Sequence, residues 1–352
     1  MRIGRSAVLA AAAAAAIALA SACSGDDGDG SPAATDAPAA SPASCDPPRT
    51  ADAGTVERTL TFDGLERRYL LTVPDGYDGR TAAPVVVNLH GFTSNGDVQN
   101  ASTAMPELAG ERGYIVVAPD GGPLAVPELL AGAEGAEQYE GQPFWNLFGP
   151  GEVDFGPPRG QNLGIDSSTI GADDVGFVEA LLDDLEAELC VDPDRLYAAG
   201  MSNGAGMATM LGCVLGDRLA AIAAVAGVNL TGKCPGDAPM SVLAVHGDAD
   251  AIVLYGGNGL LGFEFGNPSV AERMAQWAER DGCDPDPVTE EPAPGLVIQR
   301  WEGCVEGVDV ELWTLAGWPH EWPRASTRDE RGVIDATEAA LDFFDAHTID
   351  QG

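Results

Sequence analysis

The sequence predicts an α/β fold, a mainly parallel sheet with helices on both faces. Short, continuous apolar runs such as Pro84–His90 and Tyr114–Ala118 read as strands buried on both sides, the mark of a parallel sheet. Between Asp173 and Leu189, residues Val175, Val178, Leu182, Leu185 and Leu189 recur in steps of three and four. That spacing makes one apolar helix face, with Asp183, Asp184, Glu186 and Glu188 largely on the wet side. Runs of the two kinds alternate from Val56 onward, and no internal repeat interrupts them.

Taken in order, Thr59–Phe62 and Arg68–Val73 open the fold as a hairpin around Asp63-Gly64, a strong two-residue turn signal. The strands at Pro84–His90 and Tyr114–Ala118 follow, then the helix Asp173–Leu189 and a strand at Arg195–Ala199. A helix begins at Asn203, and strands are expected at Ala221–Ala226 and Ser241–His246. The helix Ser269–Arg280, strands near Val297–Trp301 and Val310–Leu315, and a helix from Ile334 to Ala346 close the pattern.

The N-terminus reads as an address. Arg2 and Arg5 precede an apolar run from Ala7 to Ala20, with small residues just before Cys23, so residues 1–22 are expected to be a signal peptide. The run is too short for a retained membrane helix, which needs about 20 apolar residues. Ala20-Ser21-Ala22-Cys23 resembles a bacterial lipobox, which implies lipidation of Cys23; cleavage there without lipidation is the alternative, and both export the protein. Apart from Thr35, residues 24–44 are Ser, Gly, Asp, Ala and Pro without apolar periodicity, the composition of a flexible tether. Residues 45–352 are then a single domain, expected to be monomeric. Six cysteines remain, an even set that suits an oxidising compartment but allows fifteen connectivities. Cys283–Cys304 and Cys213–Cys234 each close a loop of about twenty residues, which leaves Cys45–Cys190; buried free thiols are the alternative.

Composition narrows the chemistry. Of 352 residues, 45% are hydrophobic and 21% charged, ordinary values for a globular chain. Lys+Arg number 18 against 55 Asp+Glu, a formal charge of −37, with Lys233 the sole lysine. So acidic a surface repels phosphate backbones and anionic headgroups, which excludes nucleic acid and leaves membrane contact to the lipid anchor alone. Four histidines without H-x-x-x-H or C-x-x-C spacing give no zinc site. Glu152, Asp154 and Asp166 lack EF-hand spacing. No metal or cofactor is expected.

Gly200-Met201-Ser202-Asn203-Gly204 fits G-x-S-x-G, set between an apolar strand and a helix. Small flanking residues at such a turn lift the serine Oγ clear of the sheet, and the helix N-terminus offers N–H groups to an oxyanion. A serine nucleophile needs a base. His90, in Leu89-His90-Gly91-Phe92, suits the oxyanion loop, where the Phe92 N–H joins that of Asn203. His246 ends a strand and is expected to pack there, and His347, near the C-terminus, to lie on the surface. His320, after the last strand, is the best base by order and context. Asp248 and Asp250 compete to orient it, since both follow the strand ending at His246. Ser202, an acid at 248 or 250, then His320 is the chain order of the α/β hydrolases. Trp145 and Phe148 lie in the Gly/Pro-rich insertion Gly121–Gly164, too long for a plain connection. Trp145 is a candidate for the rim of a substrate cleft, with core packing as the alternative.

These residues resemble the polyhydroxybutyrate depolymerase and feruloyl/acetyl-xylan esterase family of α/β hydrolases. The resemblance rests on Leu89-His90-Gly91, the Ser202 motif, His246-Gly247-x-x-Asp250-x-x-Val253 and Gly317-x-x-His320-x-Trp322-Pro323, over roughly residues 65–323. Asp173-Asp174-Val175-Gly176-Phe177 and the run Trp277–Cys283 are similar to that family as well. The resemblance implies the α/β-hydrolase fold, hydrolysis of a polyester or of acyl esters of polysaccharide, and Asp250 as the acid. Departures are Trp318-Pro319 where many relatives carry glycines before the histidine, and Leu254-Tyr255 in place of Pro-Tyr. Two other readings are an acyltransferase on the same residues and a non-catalytic surface lipoprotein that binds glycan or polymer.

Overall fold

The computed structural model describes residues 44–125, 136–148, 152–154, 162–232, 234–258, 266–305, 307–324 and 334–349. The segment expected to be a signal peptide, Cys23 and the expected tether up to residue 43 lie outside the described residues.

The opening hairpin pairs β1 (Gly54–Phe62) with β2 (Leu65–Val73). Asp63 and Gly64 between them both have positive φ, 47° and 77°, the backbone a type I′ turn demands. Then come β3 (Ala83–Leu89), α1 (Gly96–Thr103), α2 (Met105–Glu111) and β4 (Ile115–Pro119). The insertion contributes the short pairs β5 (Gly122–Pro123) with β6 (Pro143–Phe144) and β7 (Glu152–Asp154) with β8 (Asn162–Asp166). Next are α3 (Asp174–Glu188), β9 (Val191–Met201), α4 (Asn203–Val214), β10 (Ala221–Val225), β11 (Ser241–Gly247) and α5 (Val270–Arg280). The chain closes with β12 (Val288–Ala293), β13 (Leu296–Trp301), β14 (Val310–Leu315) and α6 (Ala336–Asp345).

Ten strands form one sheet in the order β1-β2-β4-β3-β9-β10-β11-β14-β13-β12. From β4 to β14 every pairing is parallel, and the margins on both sides are antiparallel. Alternate residues of β3 divide between two cores: Val85, Val87 and Leu89 face one, Val86 the other. The first core takes the apolar face of α3, including Val175, Val178, Leu182 and Leu185, together with α4 and α5. The second takes Ala336, Ala340 and Phe344 of α6. Val178, Leu182 and Leu185 are at most 1% exposed; at about 1.5–3 kcal/mol for each fully buried side chain, this face is what docks α3.

Of the ten strands of the main sheet, one was not legible in the sequence. The acid- and proline-rich segment Asp284–Pro294, which has little apolar content of its own, carries β12 at the edge of the sheet. Its side chains are mostly exposed, so hydrogen bonding to β13 orders it rather than burial. Disulfides join Cys45 to Cys190, Cys213 to Cys234 and Cys283 to Cys304, the three pairs set out above. Among the described residues no helix is long and apolar enough to cross a membrane.

Candidate active site

Register places the carboxyl ends of the parallel strands on one edge. Leu89 of β3 lies beside Gly200 of β9, Met201 beside Val225 of β10, Val225 beside Val245 of β11, and Gly247 beside Leu315 of β14. His90, Ser202, Asp250 and His320 all follow these ends, so residues far apart in sequence converge there.

Ser202 sits at φ 56° and ψ −120°, a conformation that costs a non-glycine residue about 1–3 kcal/mol. Its surroundings enforce the turn. A Cβ on Gly200 would collide with the Gly204 carbonyl, one on Gly204 with the Leu89 and His90 carbonyls, and one on Gly227 with that of Ser202. The Ser202 N–H donates to the Val225 carbonyl at 2.9 Å, and its own carbonyl accepts from the Gly206 N–H at 3.0 Å. The first and last glycines of the motif are thus needed for close backbone approach. The Ser202 hydroxyl makes no hydrogen bond to a described residue, and the Ser202–His320 bond of a closed triad is not formed here.

Asp250 and His320 are in direct contact, 2.7 Å between Oδ2 and Nδ1. Asp250 is buried, and its other oxygen, Oδ1, accepts the Ile252 and Val253 N–H groups at 2.8 and 2.9 Å. Burial pushes this carboxyl up, but the His246 and His320 N–H groups and the Ile252 amide outweigh it and hold it well below the usual carboxylate range. An ionised Asp250 keeps the proton of His320 on Nδ1 and leaves Nε2 as the basic nitrogen. Asp248 does something else: it is exposed, and its Oδ1 accepts the Gly317 N–H at 2.6 Å, pinning the loop that carries His320.

His246 is buried at the strand end, with Nε2 3.0 Å from the Val253 carbonyl and 3.3 Å from Asp250 Oδ2. It is therefore a second donor to the acid, a role its sequence position did not disclose. His90 is buried too. Its Nδ1 donates to the Gly91 carbonyl at 2.7 Å and its Nε2 accepts the Gly121 N–H at 2.9 Å, while burial lowers its pKa and keeps the ring neutral. His90 thus braces the segment that carries Phe92 and is no base. The Phe92 ring is half-buried against Tyr139 and Phe144.

Two expectations are corrected. Trp145 does not line a cleft: it is 0% exposed, its indole N–H donates to the His90 carbonyl, and its backbone N–H and C=O both bond the Asn203 side chain. The insertion folds back against the sheet edge there, which its Gly/Pro-rich composition concealed. His347 is not a surface residue. It is buried one turn beyond Phe343, whose carbonyl accepts from its Nδ1, with Nε2 3.0 Å from Asp309. Lying just past the end of α6 and four residues after Phe343, it packs its ring on that side chain, centroids 4.4 Å apart.

A buried pair escaped sequence reasoning. Arg67 on β2 bonds Asp174 at the start of α3 at 2.6 Å and lies over the Phe177 ring. Asp174 also accepts the Gly122 and Asn146 N–H groups, so it anchors the insertion next to the site. Its partners are separated from it by up to 107 residues, and no local pattern signals that pairing. Among the described residues no cluster of His, Cys, Asp and Glu could hold a metal ion.

No family model matches the chain. Feruloyl esterase B of Piromyces equi is 29% identical over 264 residues, 72% of this chain but only 42% of that protein's length. A probable feruloyl esterase C of Aspergillus clavatus is 29% identical over 228 residues, covering 62% of this chain and 71% of the relative. Among solved structures, an acetyl xylan esterase from Aspergillus awamori superposes with a TM-score of 0.54 at 14% identity, over 83% of this chain and 99% of that one. The chain therefore has the α/β-hydrolase fold, and its relatives in sequence include feruloyl esterases.

Proposed function

We propose that this protein is an exported serine carboxylic-ester hydrolase that releases acyl groups from polysaccharide esters. The observation that carries the reading is the strained Ser202 turn on the same sheet edge as the Asp250–His320 pair. The feruloyl esterase relatives favour acylated polysaccharide over a polyester as substrate.

In this reading Ser202 Oγ attacks the ester carbonyl while His320 Nε2 takes its proton, and the Asp250 carboxylate stabilises the resulting imidazolium. The Ser202–His320 contact is of the kind that tightens when substrate binds. Negative charge collects on the carbonyl oxygen, to be met by the N–H groups of Phe92 and Asn203, neither of which has an acceptor among the described residues. His320 returns its proton to the leaving alcohol. Water, deprotonated by the same ring, then cleaves the acyl-enzyme. The proton of Ser202 thus leaves on the alcohol, and the proton taken from water passes through His320 back to Ser202 Oγ as the acid departs.

Export is supported by three disulfides, which persist in oxidising compartments. We place residues 1–22 as the leader, Cys23 as a lipid attachment and residues 24–44 as the tether of a single catalytic domain. Assaying methyl ferulate, acetylated xylan, short nitrophenyl esters and hydroxybutyrate oligomers side by side tests the substrate. The account expects kcat/KM to favour the ferulate or the xylan; preference for hydroxybutyrate oligomers would reverse it.

A further inference from the structure

We infer that Trp145 is a positioning residue: it ties together the two chain segments whose N–H groups form the oxyanion hole. The inference rests on the reading of Phe92 and Asn203 given above and goes beyond it. One donor, Phe92, lies two residues after His90; the other, Asn203, opens α4. These segments come from different strands, β3 and β9. Trp145 bonds to both.

Its indole Nε1–H donates to the His90 carbonyl at 2.9 Å. Its backbone N–H donates to Asn203 Oδ1 at 2.8 Å, and its carbonyl accepts from Asn203 Nδ2 at 3.0 Å. The Asn203 side chain is therefore held as a strand partner would be, by two bonds to the backbone N–H and C=O of one residue. The indole also packs on the His90 ring, centroids 5.0 Å apart.

Trp145 is itself fixed from both sides. The Asn146 N–H donates to Asp174 Oδ2 at 2.7 Å, the Thr93 N–H to the Pro143 carbonyl at 3.0 Å, and Phe144 pairs with Gly122. The bonds of Trp145 to His90 and Asn203 and that of Asn146 to Asp174 are buried, where a polar group left without a partner is costly. The bonds are thus held strongly and transmit position. Electrostatic stabilisation of an oxyanion depends on donors that are already aimed, and a misplacement near 1 Å can cost about 10²-fold in rate. A residue that sets the spacing between two donors therefore acts on turnover without touching substrate.

Trp145→Phe keeps a ring in the core and deletes the indole N–H. The expected result is a fall in kcat of about 10- to 100-fold with KM nearly unchanged. The diagnostic readout is the rate ratio between an ester and its thionoester, whose sulfur accepts hydrogen bonds poorly. A displaced oxyanion hole lowers that ratio, whereas simple loss of stability does not. Tyr197→Phe is the control, since it also removes one buried bond, 2.7 Å to the His347 carbonyl, far from the site. It should lower the melting temperature and leave both kcat and the ratio alone. Should Trp145→Phe fold poorly, benzothienylalanine at 145 removes the N–H while keeping the shape.

An unchanged ratio and kcat in a folded 145 variant would overturn the inference while the triad reading stands. A wild-type protein that neither hydrolyses esters nor takes a fluorophosphonate at Ser202 would overturn both.

Discussion

Replacing Asp250 by Asn should cripple the enzyme through a tautomer, and the structure says which way the amide must turn. Oδ1 accepts two backbone N–H groups, from Ile252 and Val253, and Oδ2 faces His320 Nδ1 and His246 Nε2. An asparagine must keep its oxygen on the side of the two amides, because an NH2 group there would oppose two donors. Its NH2 then faces His320. To accept from it, His320 gives up the proton on Nδ1 and carries it on Nε2, where it can no longer take one from Ser202. A comparable change in a serine protease cost about 10⁴-fold in kcat, or about 5.5 kcal/mol at 1.36 kcal/mol per decade. Asp248→Asn retains an oxygen for the Gly317 N–H and should lose less than about 10-fold. The assay is kcat/KM on a soluble nitrophenyl ester, with melting temperatures to show that both variants fold. A folded Asp250→Asn within about 10-fold of wild type would refute the argument, as would Asp248→Asn being the crippled variant.

Asp281 is buried at the end of α5 with neither carboxyl oxygen in a well-formed hydrogen bond. Burial pushes it up to about 6 against the Arg280 charge and the Met240 amide. With a folded-state pKa above the unfolded value of about 3.9, its contribution to stability is fully present below pH 4 and is lost as pH rises through 6. Asp281→Asn should therefore raise stability at pH 7 by about 2 kcal/mol relative to its effect at pH 4, seen as denaturation midpoints; an equal effect at both pH values would refute this. Replacing both Cys283 and Cys304 by Ala should cost about 2–4 kcal/mol while folded protein keeps its kcat, and a parallel loss of kcat in folded protein would count against a purely stabilising role. Cys23→Ala should move the protein from the detergent fraction to the medium, or leave it uncleaved, with catalysis unchanged. Equal release of wild type and variant would show Cys23 to be part of an ordinary secretion signal.

What could be read in the sequence was what local pattern encodes. Val85, Val86 and Val87 are all 0% exposed, and only a strand covered on both faces buries three consecutive valines. The Ser202 motif announces its turn because its glycines answer backbone contacts within the same strand–turn–helix unit and the strands beside it. The Asp63-Gly64 turn is equally local. Trp145 was misplaced because its burial depends on Asn203, 58 residues away, and on a fold of the insertion that composition cannot foretell. Arg67–Asp174 and His246–Asp250 illustrate two further kinds of silence. One is a long-range pair without periodicity. The other is a histidine four residues from its partner whose second hydrogen bond depends on how the loop after β11 closes. β12 was missed for a third reason, since an edge strand held by hydrogen bonds alone has no apolar alternation to show.

The central claim is that Ser202 is an activated nucleophile. Treating the folded protein with a fluorophosphonate and mapping the adduct by peptide mass spectrometry tests it most directly. The account predicts one adduct, on the peptide containing Ser202, absent from Ser202→Ala and formed far more slowly in Asp250→Asn and His320→Ala. No adduct on active protein, or an adduct at another serine that survives Ser202→Ala, would contradict it.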